Sequence, residues 1–373
     1  MGMNQTPVAA SGYGAGLPRM LPTGRGAELE CGPESCRELR MLLCARSGLV
    51  LAVSLTAACL AAGCNSYAWA VFKENALSPT PYMKVASHPE PKNWPTDRVT
   101  MTWIGQATVL INFYGTVILT DPVLSKRLAP PELFGVNLGI RRITELPCKF
   151  EKLPPVDVVL LSHAHHDHWD MATLRRFDGR TLAIIPTGNS DLVPTDSFGK
   201  VIELAWGQRA SIGDVEIRAF PVSHWGRRSG APDKPRGYNG YVISGHGRSV
   251  VFVGDTAYGD IAPYLLTASA QPRWVMSPAD WAARINTPHV DLCILPIGEY
   301  LYRVNHMTPE EAWSILQAVK GRYLLATHWR TFILSPRNQQ PIFRPMERLR
   351  QAACDQADRI VCAEPGKVFS LPE

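Results

Sequence analysis

None of the nine cysteines in this 373-residue chain stands in a C-x-x-C pair, which excludes a cysteine zinc site of the ribbon type. Charge is scarce too. Asp, Glu, Lys and Arg together make up 19% of the chain and the net charge is +5, so there is no basic footprint and no nucleic-acid partner is expected. No internal repeat is visible. The charge-free stretch at the N-terminal end runs only from Ser47 to Cys64, just short of the roughly 20 residues that span a bilayer comfortably. What the chain does have is 46% hydrophobic residues, enough to bury a sizeable core in one large domain or two.

The stretch SGLVLAVSLTAACLAAGC (47–64) has the size of an export signal, with Arg46 before it and Ala61-Ala62-Gly63 leading into Cys64. It resembles a bacterial lipoprotein signal, which implies a lipidated Cys64, a membrane anchor and a place in the bacterial envelope facing the periplasm. Leu60 departs from the usual pattern by one position. An uncleaved N-terminal anchor is the alternative. Initiation at Met41 would give a signal of ordinary length. Residues 1–64 are therefore read as an N-terminal extension with signal or anchor. Residues 65–97, with Pro79, Pro81, Pro89, Pro91 and Pro95, are read as a linker, and 98–373 as the folded domain.

Within that domain Val99–Ile104, Thr108–Phe113 and Val117–Thr120 read as successive strands, and Asp121-Pro122 ends the third. Asp121 stands where a carboxylate could receive the second N–H of a metal-bound histidine. The apolar run Val156–Leu161 then leads into Ser162-His163-Ala164-His165-His166-Asp167-His168-Trp169-Asp170, followed by a short helix that Asp170 could cap. His163 and His165 are spaced to converge on one ion, and Asp167 and His168 lie around the bend for a second. Imidazole and carboxylate donors suit zinc, with iron and manganese as alternatives. His224, Asp255 and His328 each follow a further strand end. His88, His166, His246 and His289 have no such position. The glycine- and proline-rich loop 226–237 carries four cations beside these ligands and could form an anion-binding lid. His306 precedes Thr308-Pro309-Glu310-Glu311, a capping-box helix start. Strands alternating with helices and hairpins make a layered α/β domain whose strand ends can gather these side chains.

Seven segments carry a resemblance that spans about 98–371: WIGQAT (103–108), LTDPV (119–123), LPPVDVVLLSHAHHDHWD (153–170), SHWGRR (223–228), VGDTAY (253–258), NHMTPEEA (305–312) and THWRTF (327–332). They resemble the metallo-β-lactamase superfamily and, within it, the N-acyl-phosphatidylethanolamine-hydrolysing phospholipase D family. The resemblance implies an αβ/βα sandwich holding two zinc ions. His163, His165 and His224 would bind one ion, Asp167, His168 and His328 the other, and Asp255 would bridge them. His306 matches a histidine near the substrate. Gln106, where many relatives have histidine, and Arg330, where glycine is usual, depart from the pattern without removing a ligand.

The implied activity is hydrolysis of a phosphodiester in N-acyl-phosphatidylethanolamine or a related phospholipid by a metal-bridging hydroxide. Asp167 would orient that hydroxide and His306 would contact phosphate or assist the leaving alkoxide. One alternative is a lactone or β-lactam hydrolase of the same fold. Another, of a different class, is a non-catalytic, zinc-stabilised, lipid-binding envelope protein.

Overall fold

The computed structural model describes residues 79–128, 139–259, 277–298, 306–334 and 341–373, together with Glu74 and the backbone of 132–133 and 136–137. The chain separates into two units, Met1–Cys64 and Asn65–Glu373, and everything described belongs to the second. The proposed signal and Cys64 lie outside the described residues. Among the described residues, no helix is long and apolar enough to cross a membrane.

The first strands are β1 (Val99–Gly105), β2 (Thr108–Phe113), β3 (Thr116–Thr120), β4 (Glu132–Leu133), β5 (Val136–Asn137), β6 (Val158–Leu160), β7 (Leu182–Pro186) and β8 (Lys200–Leu204). The later ones are β9 (Arg209–Ile212), β10 (Val215–Phe220), β11 (Gly240–Gly245), β12 (Arg248–Phe252), β13 (Leu292–Pro296), β14 (Tyr323–Thr327), β15 (Ile360–Val361) and β16 (Val368–Ser370). Two seven-stranded mixed sheets result, in the orders β16-β1-β2-β3-β6-β7-β8 and β15-β14-β13-β12-β11-β10-β9. In each, a run of antiparallel pairs continues into parallel strands: β3, β6, β7 and β8 in the first sheet, and β12, β13, β14 and β15 in the second.

The period of two along each strand decides which side chains meet. Val109 and Ile111 of β2 and Val158 and Leu160 of β6 join the large core between the sheets, with Ile217, Tyr241, Phe252 and Ile294. Leu110, Val159 and Leu161, one position out of phase, fill a second core with Trp169 and Leu174. The parallel strand β6, Val158–Leu160, is apolar throughout, as a strand covered on both faces of an α/β protein must be, and the antiparallel β2 is buried along its whole length. Helix α1 (Met171–Leu174) is capped by Asp170, which accepts from the Ala172 N–H, and its Leu174 lies in that second core. Helices α2 (Pro278–Ile285), α3 (Pro309–Ala318) and α4 (Arg344–Ala353) contribute Trp281, Trp313, Leu316 and Leu349 to the large core. The capping box expected at Thr308 and Glu311 starts α3, and Ser277 with Asp280 forms another at α2. The arrangement is the αβ/βα metallo-β-lactamase fold.

The later part of the stretch read as a linker is docked on the domain. The Met83 N–H donates to the Ile143 carbonyl at 2.7 Å, Met83 O accepts from Glu145 N–H at 2.8 Å, and Trp94 packs against the second core. Prolines there shape a strap along the surface. Among the described cysteines, Cys148, Cys293 and Cys362 are buried thiols and Cys354 is an exposed one.

Candidate metal centre

The parallel strands of both sheets end at one edge, and the loops that leave them there carry the polar side chains. Asp121 follows β3, the His163–His168 loop follows β6, His224 follows β10, Asp255 follows β12 and His328 follows β14. Two clusters, His163 with His165 and His224, and Asp167 with His168, Asp255 and His328, have ligand atoms within 4.8 Å of one another, and Asp121 with His163 and His168 makes a third group that overlaps both. All seven residues singled out from the sequence are brought together.

In the first cluster, His163 Nε2 lies 2.8 Å from His165 Nδ1, which lies 3.2 Å from His224 Nε2. In the second, the Asp255 carboxylate stands between rings. Its Oδ2 is 3.0 Å from His328 Nε2, 3.1 Å from His168 Nε2 and 4.0 Å from His224 Nε2 of the first cluster. Asp167 Oδ2 is 3.1 Å from His328 Nε2 and 3.4 Å from His168 Nε2. His306 is 13% exposed at its side chain, with Nδ1 3.6 Å from Asp255 Oδ2 and its ring stacked on His328. It sits at the wall of the site.

Asp121 does what its place before Pro122 allowed. It is fully buried, accepts from Ser162 N–H at 2.7 Å and Ser162 Oγ at 2.5 Å, and lies 2.6 Å from His168 Nδ1. The same Ser162 hydroxyl is 2.9 Å from His163 Nδ1. With both Nδ1 atoms facing oxygen, each ring can keep a proton there while its Nε2 atom points into the clusters, where it can carry a second proton or ligate an ion. His168 Nε2 and Asp255 Oδ1 are buried without a hydrogen bond, although carboxylate oxygen surrounds the former. Carboxylate oxygens and imidazole nitrogens buried this close together call for shared protons or for cations. The residues fit a divalent metal.

Electrostatics agree. Burial lowers His328, but the Asp255 and Asp167 carboxylates outweigh it and raise the imidazole to about 9; His168 is likewise raised well above the ordinary value. Burial would push Asp167 and Asp255 up, and the neighbouring His168 and His328 hold both well below the usual carboxylate range. His165 and His306 are lowered to about 4, burial being the main cause. The metal-free chain thus keeps its second cluster neutralised by protons. A ligating His328 must give up its proton, so at pH 7 metal binding releases protons and affinity rises with pH up to about 9. Calorimetric zinc titration in buffers of different ionisation enthalpy measures that release; none at pH 7 would contradict it. Stability of the metal-free chain follows the same groups. The His328 contribution is complete below the unfolded value of 6.5 and is lost as pH rises through about 9. The lowered His165 and His306 act oppositely, costing stability as pH falls from 6.5 towards about 4.

Three supports escaped sequence reading. The Gln106 amide donates to Asp167 Oδ2 at 2.8 Å, while the Gln106 carbonyl accepts from Trp103 Nε1 and from His328 N–H, each at 2.9 Å. Trp103 stacks on Trp329 with ring centroids 5.5 Å apart, fixing the turn that carries His328. Arg228 Nη1 donates to the carbonyls of Ala164 and Trp169, at 2.8 and 3.0 Å, and so clasps the histidine loop. That last contact gives one cation of the 226–237 loop a structural role. Arg236 is held by Asp191, Lys234 by Asp191, Arg227 by Asp233, and Arg228 by the two carbonyls. Each cation of the loop already has an internal partner.

Backbone geometry is tight here. Asp121 and His328 adopt positive φ, 32° and 62°, a conformation rarely found outside glycine and concentrated at functional sites. Gly254, with φ 60°, lies against Ser162, and a Cβ on it would stand 2.3 Å from Ser162 Cβ. Gly254→Ala therefore displaces the residue that joins Asp121 to His163. It should cost about 2–4 kcal/mol in chemical denaturation, and an unchanged midpoint would refute the close approach.

A model of the beta-lactamase superfamily domain matches residues 116–329. The mitochondrial N-acyl-phosphatidylethanolamine-hydrolysing phospholipase D of Saccharomyces cerevisiae is 29% identical over 282 residues, covering 71% of this chain and 54% of that protein. The chain thus spans about half the length of that relative. N-acyl-phosphatidylethanolamine-hydrolysing phospholipase D 1 of Caenorhabditis elegans is 26% identical over 266 residues, 67% of this chain and 68% of that protein. Among solved structures, a possible metal-dependent hydrolase from Veillonella parvula superposes with a TM-score of 0.53 at 17% identity, over 74% of this chain and 100% of the other. The isothiocyanate hydrolase from Delia radicum gut bacteria gives 0.52 at 19% identity, with the same coverage. These two structures share the fold. With the superfamily model spanning more than half of the chain, and the strand-end histidines and aspartates gathered as that fold requires, the chain belongs to the metallo-β-lactamase superfamily and resembles its N-acyl-phosphatidylethanolamine-hydrolysing phospholipases D.

Proposed function

We propose that this metal-dependent hydrolase cleaves the phosphodiester of N-acyl-phosphatidylethanolamine or a closely related phospholipid, using two divalent ions, zinc by preference. The observation that carries the reading is the Asp255 carboxylate between the two clusters, within 4.0 Å of imidazoles from both. The phospholipid class rests on the relatives, two of which bear that substrate in their names.

His163, His165 and His224 would hold one ion, and Asp167, His168 and His328 the other, with Asp255 shared. When bound, such ions lower the pKa of water towards neutrality and neutralise phosphate oxygens. The chain's own residues supply position. Asp121 and Ser162 fix the His168 and His163 rings, Gln106 fixes Asp167, and Arg228 holds the loop. His306, neutral at pH 7 because burial lowers it to about 4, offers one N–H and one lone pair at the wall, suited to a phosphate oxygen or to the leaving alcohol. The proposal also places the chain at a bacterial envelope membrane, anchored near Cys64; the charge-free stretch 47–64 supports this.

Incubation of the zinc-loaded full chain with N-acyl-phosphatidylethanolamine, followed by mass spectrometry, tests the reading. Phosphatidic acid and an N-acylethanolamine are the expected products. Ring opening of lactones or β-lactams with the phospholipid untouched would move the function to acyl hydrolysis. Bound metal without turnover on any ester or phosphodiester would make it a binding protein.

A further inference from the structure

A cavity of about 660 Å³, lined by none of the seven cluster residues, opens beside the strap 79–97. Its walls come from the strap, from the segment after β3, from residues 141–151 and from the end of the α1 turn. Six cations line it, Lys126, Arg127, Arg141, Arg142, Lys149 and Arg176, against the two carboxylates of Glu145 and Glu151. Both carboxylates are already engaged. Glu145 holds Lys84 at 3.2 Å and accepts from the Val85 N–H, and Glu151 pairs with Arg176.

Arg142 matters most. It is 4% exposed, and its hydrogen bonds run to the neutral carbonyls of Ser125 and Val123. Burial lowers its pKa only to about 10, so it is charged at neutral pH. Its guanidinium also lies 5.0 Å over the Phe332 ring, and no described carboxylate pairs with it, so an anion would supply the opposite charge it lacks. Lys126 and Lys149 stand exposed at the same cavity. The frame is built, not incidental: isolated bridges join Met83 to Thr144, Arg127 to Arg141 and Arg142 to Phe332.

The remaining wall is apolar. Tyr82, Leu124, Leu146 and Phe150 line it, and the Arg176 guanidinium lies 4.2 Å over the Phe150 ring. Cations beside apolar side chains suit a ligand that is itself divided, anionic at one end and oily at the other. Along the chain, the strap that supplies Tyr82 follows the charge-free stretch 47–64.

We propose that this cavity is a second, non-catalytic site for a phosphate-bearing anion, filled by the headgroup and glycerol end of an acidic phospholipid.

The full zinc-loaded chain and its K126E/K149E variant, titrated with dihexanoyl phosphatidic acid and separately with inorganic phosphate, test it. Both lysines are exposed, so the variant should melt with the wild type and turn over a soluble phosphodiester at the same rate. The proposal expects tighter binding of the lipid than of inorganic phosphate, and a loss in the variant of roughly thirtyfold, from about 1 kcal/mol per lost cation at a lipid surface. Equal affinity for the two probes with the same loss would keep the site and make free phosphate its source. Wild type and variant binding both probes alike, or no saturable binding to the wild type, would overturn it.

Discussion

Asp255→Ala should bring hydrolysis below detection and reduce the metal bound to at most one ion per chain. Among the described carboxylates, Asp255 alone lies within 4.0 Å of imidazoles from both clusters, through Oδ2, and His306 faces it as well. Removing it leaves His168 and His328 with Asp167 as their shared carboxylate. The second ion loses a charged donor, and the alignment of the two sites loses its common point. In the metal-free variant His328 should titrate below its present value of about 9, because the largest of the effects that raise it is gone. NMR titration of the imidazoles with metal analysis separates this from misfolding. An Asp255→Ala chain that keeps two ions and normal turnover would show that the carboxylate is not shared.

Asp121→Asn should have the next largest effect, through residues that touch the ion rather than through contact with it. The carboxylate accepts from Ser162 N–H and Ser162 Oγ and faces His168 Nδ1, with no exposure. Ser162 Oγ and His168 Nδ1 share Oδ2 while the Ser162 N–H takes Oδ1, so an amide nitrogen at the first place deprives both the hydroxyl and the imidazole of their acceptor, and at the second it meets the Ser162 N–H donor head-on. His168 is then free to take the other tautomer, with its Nε2 lone pair withdrawn. Loss of such a supporting hydrogen bond typically weakens metal affinity about 10–100-fold. Chelator competition measures it, and affinity within twofold or so of wild type would exclude the role.

The clustered side chains were legible because each follows the end of an apolar strand, and strands running the same way deliver such ends to one edge of a sheet. His224, Asp255 and His328 lie far apart in sequence yet follow β10, β12 and β14. Asp121 was legible as a candidate partner because it ends β3, the strand next to β6. Gln106 was noticed as a departure, but its hydrogen bond to Asp167 spans 61 residues and depends on how the β1–β2 turn meets the histidine loop. No spacing encodes that. The partners of the 226–237 cations were hidden for a related reason. These cations look available in sequence, while their partners Asp191, Ala164 and Trp169 come from elsewhere in the fold. The short strands β9 and β15 went unread as well. Each lies at a sheet edge, and β9 alternates through exposed Arg209 and Ser211, so neither shows a continuous apolar run.

The most direct test of the account is stepwise zinc loading of the metal-free full chain, with turnover of N-acyl-phosphatidylethanolamine followed at each step. The account expects no turnover without metal and activity that rises with loading to a plateau at two ions per chain. Phosphodiester cleavage by the metal-free chain, or a plateau at one ion with Asp255→Ala fully active, would contradict it.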